Sequence, residues 1–220
     1  MKIKSNNKQS GFSLMELLIA MTMVLILMGV VSSLLGRAVS VRSRESRKSD
    51  ALASAQAALN VLSREIGNSG FGISTTADEN EHYNGIVLAD TNDHKIRFRS
   101  NIENVGTQTN PDVLRTNRPG EDITYFYDAA SSSIVRYDPN DSPTTSVVVN
   151  RISNVTFSYF DYSGSSSTVT QAAVPTANTG RIRITVNVAL DPIYGQPNPA
   201  DVTFTSDVTL RNAKYMLNQY

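Results

Sequence analysis

The chain has 220 residues, 20 basic and 20 acidic side chains, and no cysteine or tryptophan. A balanced charge excludes the basic footprint of a nucleic-acid-binding domain. The missing thiols exclude cysteine nucleophiles, cysteine metal sites and disulfides, so the fold relies on its core alone. The length suits one domain plus an anchor.

The first element runs from the start to Leu35. Lys2, Lys4 and Lys8 lead into Gly11-Phe12-Ser13-Leu14-Met15-Glu16, and an apolar run of 19 residues follows from Leu17 to Leu35. A secretory signal has an apolar part of only about 7–15 residues. The run here approaches the roughly 20 residues that cross the hydrocarbon core, so it reads as a membrane helix. Glu16 stands near its start with no basic side chain within reach along the helix. A carboxylate in hydrocarbon costs roughly 2.5–3.5 kcal/mol on insertion scales, so it requires a partner from elsewhere.

The helical pattern continues past the membrane. Ala51, Leu52, Ala55, Leu59, Leu62 and Ile66 recur at steps of three and four, which marks one buried face. No proline interrupts residues 12–66, and Gly67, Gly70 and Gly72 end the helix. Such a helix spans about 80 Å at 1.5 Å per residue. A basic belt of Arg37, Arg42, Arg44, Arg47 and Lys48 follows the apolar run. It faces solvent, lipid head groups or neighbouring acids.

Beyond Gly72, short β-rich runs alternate with polar turns. The predicted strands are Gly85–Leu88, Lys95–Arg99, Ile123–Tyr127, Ile134–Tyr137, Val147–Arg151, Val155–Tyr162, Arg181–Leu190 and Val202–Leu210. In Arg181–Val188 the even positions are apolar, and Val202–Leu210 follows the same rule except at Ser206. Loops are expected at 100–120 and 163–180. The fold class is α+β: a long N-terminal helix, membrane half then amphipathic half, packed on a mainly antiparallel sheet.

Two acidic segments, Asp90–His94 and Asp138–Asp141, invite comparison with calcium loops. Neither has the Gly at position six or the Glu at position twelve of an EF-hand, so both read as turns. His82 and His94 fit no metal or triad spacing, and no phosphate loop or nucleophile elbow occurs. No catalytic residue, metal or cofactor is expected.

The start of the chain resembles the class III signal of type IV pilins and type II secretion pseudopilins over residues 8–35. The carriers are the basic leader, Gly11, Phe12 and Glu16. The resemblance implies removal of residues 1–11 by a prepilin peptidase, cutting between Gly11 and Phe12. It also implies N-methylation of Phe12 and pairing of Glu16 with the freed amine of a neighbouring subunit. The mature chain would then carry 17 basic and 20 acidic side chains, net −3. Residues 12–36 would form the transmembrane and filament-core helix, 37–66 its amphipathic continuation, and 67–220 the head. Arg64-Glu65-Ile66-Gly67-Asn68-Ser69-Gly70-Phe71-Gly72 is similar to the turn after the stalk helix in PilW-type minor pilins, with Gly67 in place of an Arg and Ser69 in place of an Ala. Ile152–Tyr159 and Phe204–Asn212 look like later strands of that family.

The implied function is that of a minor pilin in pilus assembly, initiation or a tip complex. The implied partners are the peptidase, major and minor pilins, inner-membrane lipid and a tip adhesin, with no nucleic acid. The implied location is the inner membrane, single pass with a periplasmic head, and then the pilus surface. The basic belt after the helix would favour the reverse orientation by the positive-inside rule, but the signal is the more specific mark. J-type pseudopilins share the stalk and a similar head and form one alternative. A signal-anchored exported ligand-binding protein forms the other.

Overall fold

A computed structural model describes residues 11–73, 83–102, 116–162, 169–190 and 201–214. One α-helix, α1, runs Leu14–Gly67. Eight strands follow: β1 Lys95–Arg99, β2 Asp122–Asp128, β3 Ser133–Tyr137, β4 Thr145–Asn150, β5 Ile152–Tyr162, β6 Val169–Ala172, β7 Thr179–Val188 and β8 Val202–Thr209. They form two antiparallel four-stranded sheets, ordered β1-β2-β3-β4 and β6-β5-β7-β8. The fold is α+β, with two sheets where the sequence reading had one.

The chain divides into two compact units, Met1–Ser46 and Arg47–Tyr220. In the first, every described residue from 11 to 39 is exposed. The helix here is long and apolar enough to cross a membrane, with mean hydropathy 2.5 in its best stretch and none of it buried. Two of its hydroxyls return to their own backbone: Thr22 Oγ1 donates to the Ile19 carbonyl at 2.8 Å, and Ser40 Oγ to that of Arg37 at 2.9 Å. This bonding spares lipid from unsatisfied hydroxyls.

In the second unit, Ala51, Ala55, Ala58, Leu59, Leu62 and Ile66 share one core with the inward residues of both sheets. Three alanines let the helix backbone approach closely. Leu52, assigned to this face from the sequence, is instead 49% exposed, and Ala58 takes the buried place. At 100° per residue Leu52 lies at the margin of the stripe, near the unit's first turn. The alternation in β7 is realised in full: Ile182, Ile184, Val186 and Val188 are buried. Ser206, the break in β8, lies 3.3 Å from Ser63 of the helix, oxygen to oxygen.

Three strand expectations change. Gly85–Leu88 is a single bridge, Ile86 to Phe98, followed by a 3-10 turn Leu88–Asp90. The run assigned to Val147–Arg151 begins at Thr145 and stops at Asn150, because Arg151 adopts φ +62° in the link to β5. The segment 163–180, read as a loop, contains β6. Its four residues Val-Thr-Gln-Ala pair with Tyr159–Tyr162 through the backbone and stay mostly exposed, so no apolar alternation announces them. Residues 103–115 and 163–168 of the expected loops lie outside the described residues.

The segment Asp90–His94 joins the two sheets. The Asp93 carbonyl accepts the Phe157 amide at 2.7 Å, and the Asn92 carbonyl accepts the Tyr159 hydroxyl at 2.6 Å. His94 Nδ1 lies 2.8 Å from the Val155 carbonyl oxygen.

Gly70 and Gly85 mark the closest backbone approach. Both have positive φ, and a Cβ on Gly85 would lie 2.2 Å from the Gly70 nitrogen and 2.5 Å from the Arg99 oxygen. Gly120 also has positive φ, but a Cβ there meets nothing nearer than 3.9 Å. Gly120→Ala should therefore cost only its backbone strain, about 1–2 kcal/mol. Gly85→Ala should cost more than about 4 kcal/mol, because two backbone segments must separate. Denaturant midpoints of the two variants check the difference.

Candidate functional site: the N-terminal segment and the helix-to-head turn

Gly11, Phe12 and Ser13 precede the helix, and Phe12 is 85% exposed. The Ser13 carbonyl accepts the amides of Glu16 at 3.0 Å and Leu17 at 3.1 Å, which opens the first turn. Glu16 lies in that turn, where the positive end of the helix dipole favours a carboxylate. Among the described residues its side chain has no hydrogen bond or ion pair. The three residues singled out from the sequence thus fall within one short exposed segment. Among the described residues of their own unit, none supplies a counter-charge to Glu16.

The second element is the turn that ends the helix, a structural junction. Glu65 Oε2 accepts the Tyr125 hydroxyl at 2.7 Å and Arg136 Nε at 3.2 Å. Arg136 also reaches Asp138 at 3.3 Å. Asp138 is fully buried and takes amides from Gly120 at 2.6 Å and Asn140 at 3.0 Å. The helix is thereby tied to the first sheet. Ser69, also fully buried, donates to the Asn84 carbonyl, and its own carbonyl accepts Asn212 Nδ2 at 3.0 Å. Asn84 then donates to the carbonyls of Thr176 and Thr179 at 2.9 and 3.1 Å, reaching the second sheet. A serine at position 69 therefore has work that an alanine could not do. The sequence reading places Asp138 in a turn and Glu65 in the Arg64–Gly72 segment without assigning either a partner, and it does not single out Asn84. Their polarity beside apolar runs was the only available signal.

The two acidic segments have their carboxylates engaged within the fold. Asp90 pairs with Arg97, and that guanidinium holds the Asp90 carboxyl below its ordinary value. Asp138 and Asp141 face Arg136. Among the described residues no group of three His, Asp or Glu side chains is placed to hold a metal. His82 lies outside the described residues.

A family model for the prokaryotic N-terminal methylation motif matches residues 6–32. The chain carries a type IV pilin-like class III signal. The match covers the end of the leader from residue 6, Gly11, Phe12, Glu16 and most of the apolar run. With the bare apolar helix behind it, the signal fits a membrane-anchored, exported protein of the pilin or pseudopilin kind. No curated protein and no solved structure matches the chain.

Burial first, and then the Glu65 carboxylate, push the Tyr125 phenol above its ordinary value of about 10. Burial followed by Asp93 does the same to Tyr159. The folded state thus keeps protons that the unfolded chain releases. Stability from these phenols is complete below about pH 10 and falls as pH rises beyond it. Tyr125→Phe should lower stability by about 1–3 kcal/mol at pH 7 by removing a bond to Glu65. It should also flatten, without abolishing, the alkaline decline. Unfolding midpoints at pH 7 and pH 11 read both effects.

Proposed function

We propose that this chain is a minor pilin of a type IV pilus, of the PilW kind. Prepilin peptidase cuts between Gly11 and Phe12, Phe12 is N-methylated, and the processed chain joins a filament or its tip complex. Its mechanism is assembly rather than catalysis. The observation that carries this reading is the conjunction of the methylation motif at residues 6–32 with a Glu16 unpaired among the described residues, on an apolar helix that its own chain leaves bare. Cleavage creates one new cation, the amine on Phe12, and methylation keeps that amine basic. Within one helix the amine does not readily curl onto the side chain a turn later, so the partner sits on an adjoining subunit. A matched buried pair sets axial register even where its net stabilisation is small. The similarity of the Arg64–Gly72 turn to the PilW kind supports the minor-pilin assignment. The head would stand in the periplasm before assembly and at the cell surface afterwards. Other pilins and a tip adhesin would be its partners.

Two substitutions separate processing from assembly. Gly11→Val should block the cut, because a branched side chain obstructs the peptidase at the scissile bond. Glu16→Gln keeps the size and removes the charge. It should be cleaved like the parent, yet its incorporation into sheared filaments should fall at least about tenfold, the equivalent of about 1.4 kcal/mol. Gel mobility of the processed band and immunodetection in the filament fraction check both. Parental incorporation of Glu16→Gln would remove the pairing from the mechanism.

A further inference from the structure

The segment that follows the apolar run carries cations that its own unit leaves unpaired. Arg37, Arg42 and Arg44 are all exposed. Among the described residues none of the three has an ion pair, and neither does Glu45, the one acid of the first unit beyond the run. With three arginines against one glutamate, residues 37–46 keep a net charge of +2. Two valines stand between the cations, Val39 at 62% exposure and Val41 at 59%. A helix that interleaves arginine with exposed valine suits the boundary between hydrocarbon and water, where each side chain finds its own medium.

Position along the helix decides what meets these cations. The run Leu17–Leu35 rises about 28 Å at 1.5 Å per residue, close to the ~30 Å hydrocarbon core. Beyond Leu35, Arg37 stands about 3 Å further along, Arg42 about 10 Å and Arg44 about 14 Å. The head-group layer is roughly 5–7 Å deep on each side. Arg37 therefore falls inside it. Arg42 and Arg44 fall within about one Debye length, ~8 Å, of its surface. The Cα–Cβ bonds of a helix tilt toward its N-terminus, so these long side chains lean back toward the bilayer. An acid on another protein would have to enter the head-group layer to reach Arg37, whereas lipid phosphates are already there.

We propose that Arg37, Arg42 and Arg44 form, through their charge, a binding site for anionic phospholipid head groups. The chain gathers such lipids around the end of its membrane helix. A zwitterionic head group brings its own cation and cannot cancel the excess of +2. A head group with net negative charge can. Each basic side chain near an anionic surface strengthens attachment about fivefold. The inference goes beyond the pilus reading and needs only that the helix crosses the membrane, whichever leaflet the arginines face.

The test is native mass spectrometry of the full chain released from micelles that hold equal amounts of phosphatidylglycerol and phosphatidylethanolamine. Every chain compared carries Lys2→Gln, Lys4→Gln and Lys8→Gln, so the leader's charges do not contribute. With the three arginines present, phosphatidylglycerol adducts should exceed phosphatidylethanolamine adducts at least about tenfold, the equivalent of about 1.4 kcal/mol. Glutamine at positions 37, 42 and 44 should bring the ratio to about one, and glutamine forms helix about as well as arginine. Lysine at the same positions should restore the excess. A ratio near one with the arginines present, an excess that survives the glutamines, or one that the lysines fail to restore would overturn the proposal. Complexes with another protein that disperse with the glutamines, while the lipid ratio stays near one, would assign the arginines to a protein partner and also overturn it. Neither leader cleavage nor filament incorporation enters the readout, so failure here leaves the proposed function standing.

Discussion

The rest of the structure depends on an apolar helix that its own chain does not bury. Fully burying one Leu, Ile, Val or Met side chain gains about 1.5–3 kcal/mol, and the run from Leu17 to Leu35 holds more than ten of them. Water cannot be the environment of such a surface. Lipid or neighbouring helices must supply what the fold withholds. Thr22 is suited to that setting because its hydroxyl bonds to its own helix. Glu16 is the exception, a carboxylate with no partner among the described residues at the entrance to the run. That is why it carries the mechanistic argument.

From Ala51 the same helix changes role. Its buried stripe packs in one core with both sheets, and the turn after it is a junction of hydrogen bonds. Glu65 binds Tyr125 and Arg136 of the first sheet. Ser69 and Asn84 carry the connection toward Thr176 and Thr179 beside the second. Buried polar groups of this kind are costly when half satisfied and rigidifying when complete. A single helix thus serves as an anchor element in one unit and a core element in the other.

Much of this was legible in the sequence, and the failures have physical causes. The long helix follows from period and from the absence of proline, and its end at Gly67 from clustered glycines. β7 is read correctly because its alternate residues are strictly apolar and one face is buried. β6 was missed because an exposed edge strand held by backbone bonds needs no such pattern. Leu52 was misplaced because a period marks a face but not where the facing sheets end. The class III signal was readable because its chemistry is local, six residues from Gly11 to Glu16. The anchors at Glu65, Asn84 and Asp138 depend on partners from 18 to 95 residues away in sequence.

The central claim is that the bare helix is exposed to be shared, after its leader has been cut away. The intact mass of the chain recovered from sheared surface fibres tests this most directly. The account predicts a species that begins at N-methylated Phe12 and is present in the fibres. A chain that still carries residues 1–11, or one confined to the membrane and absent from the fibres, would contradict it.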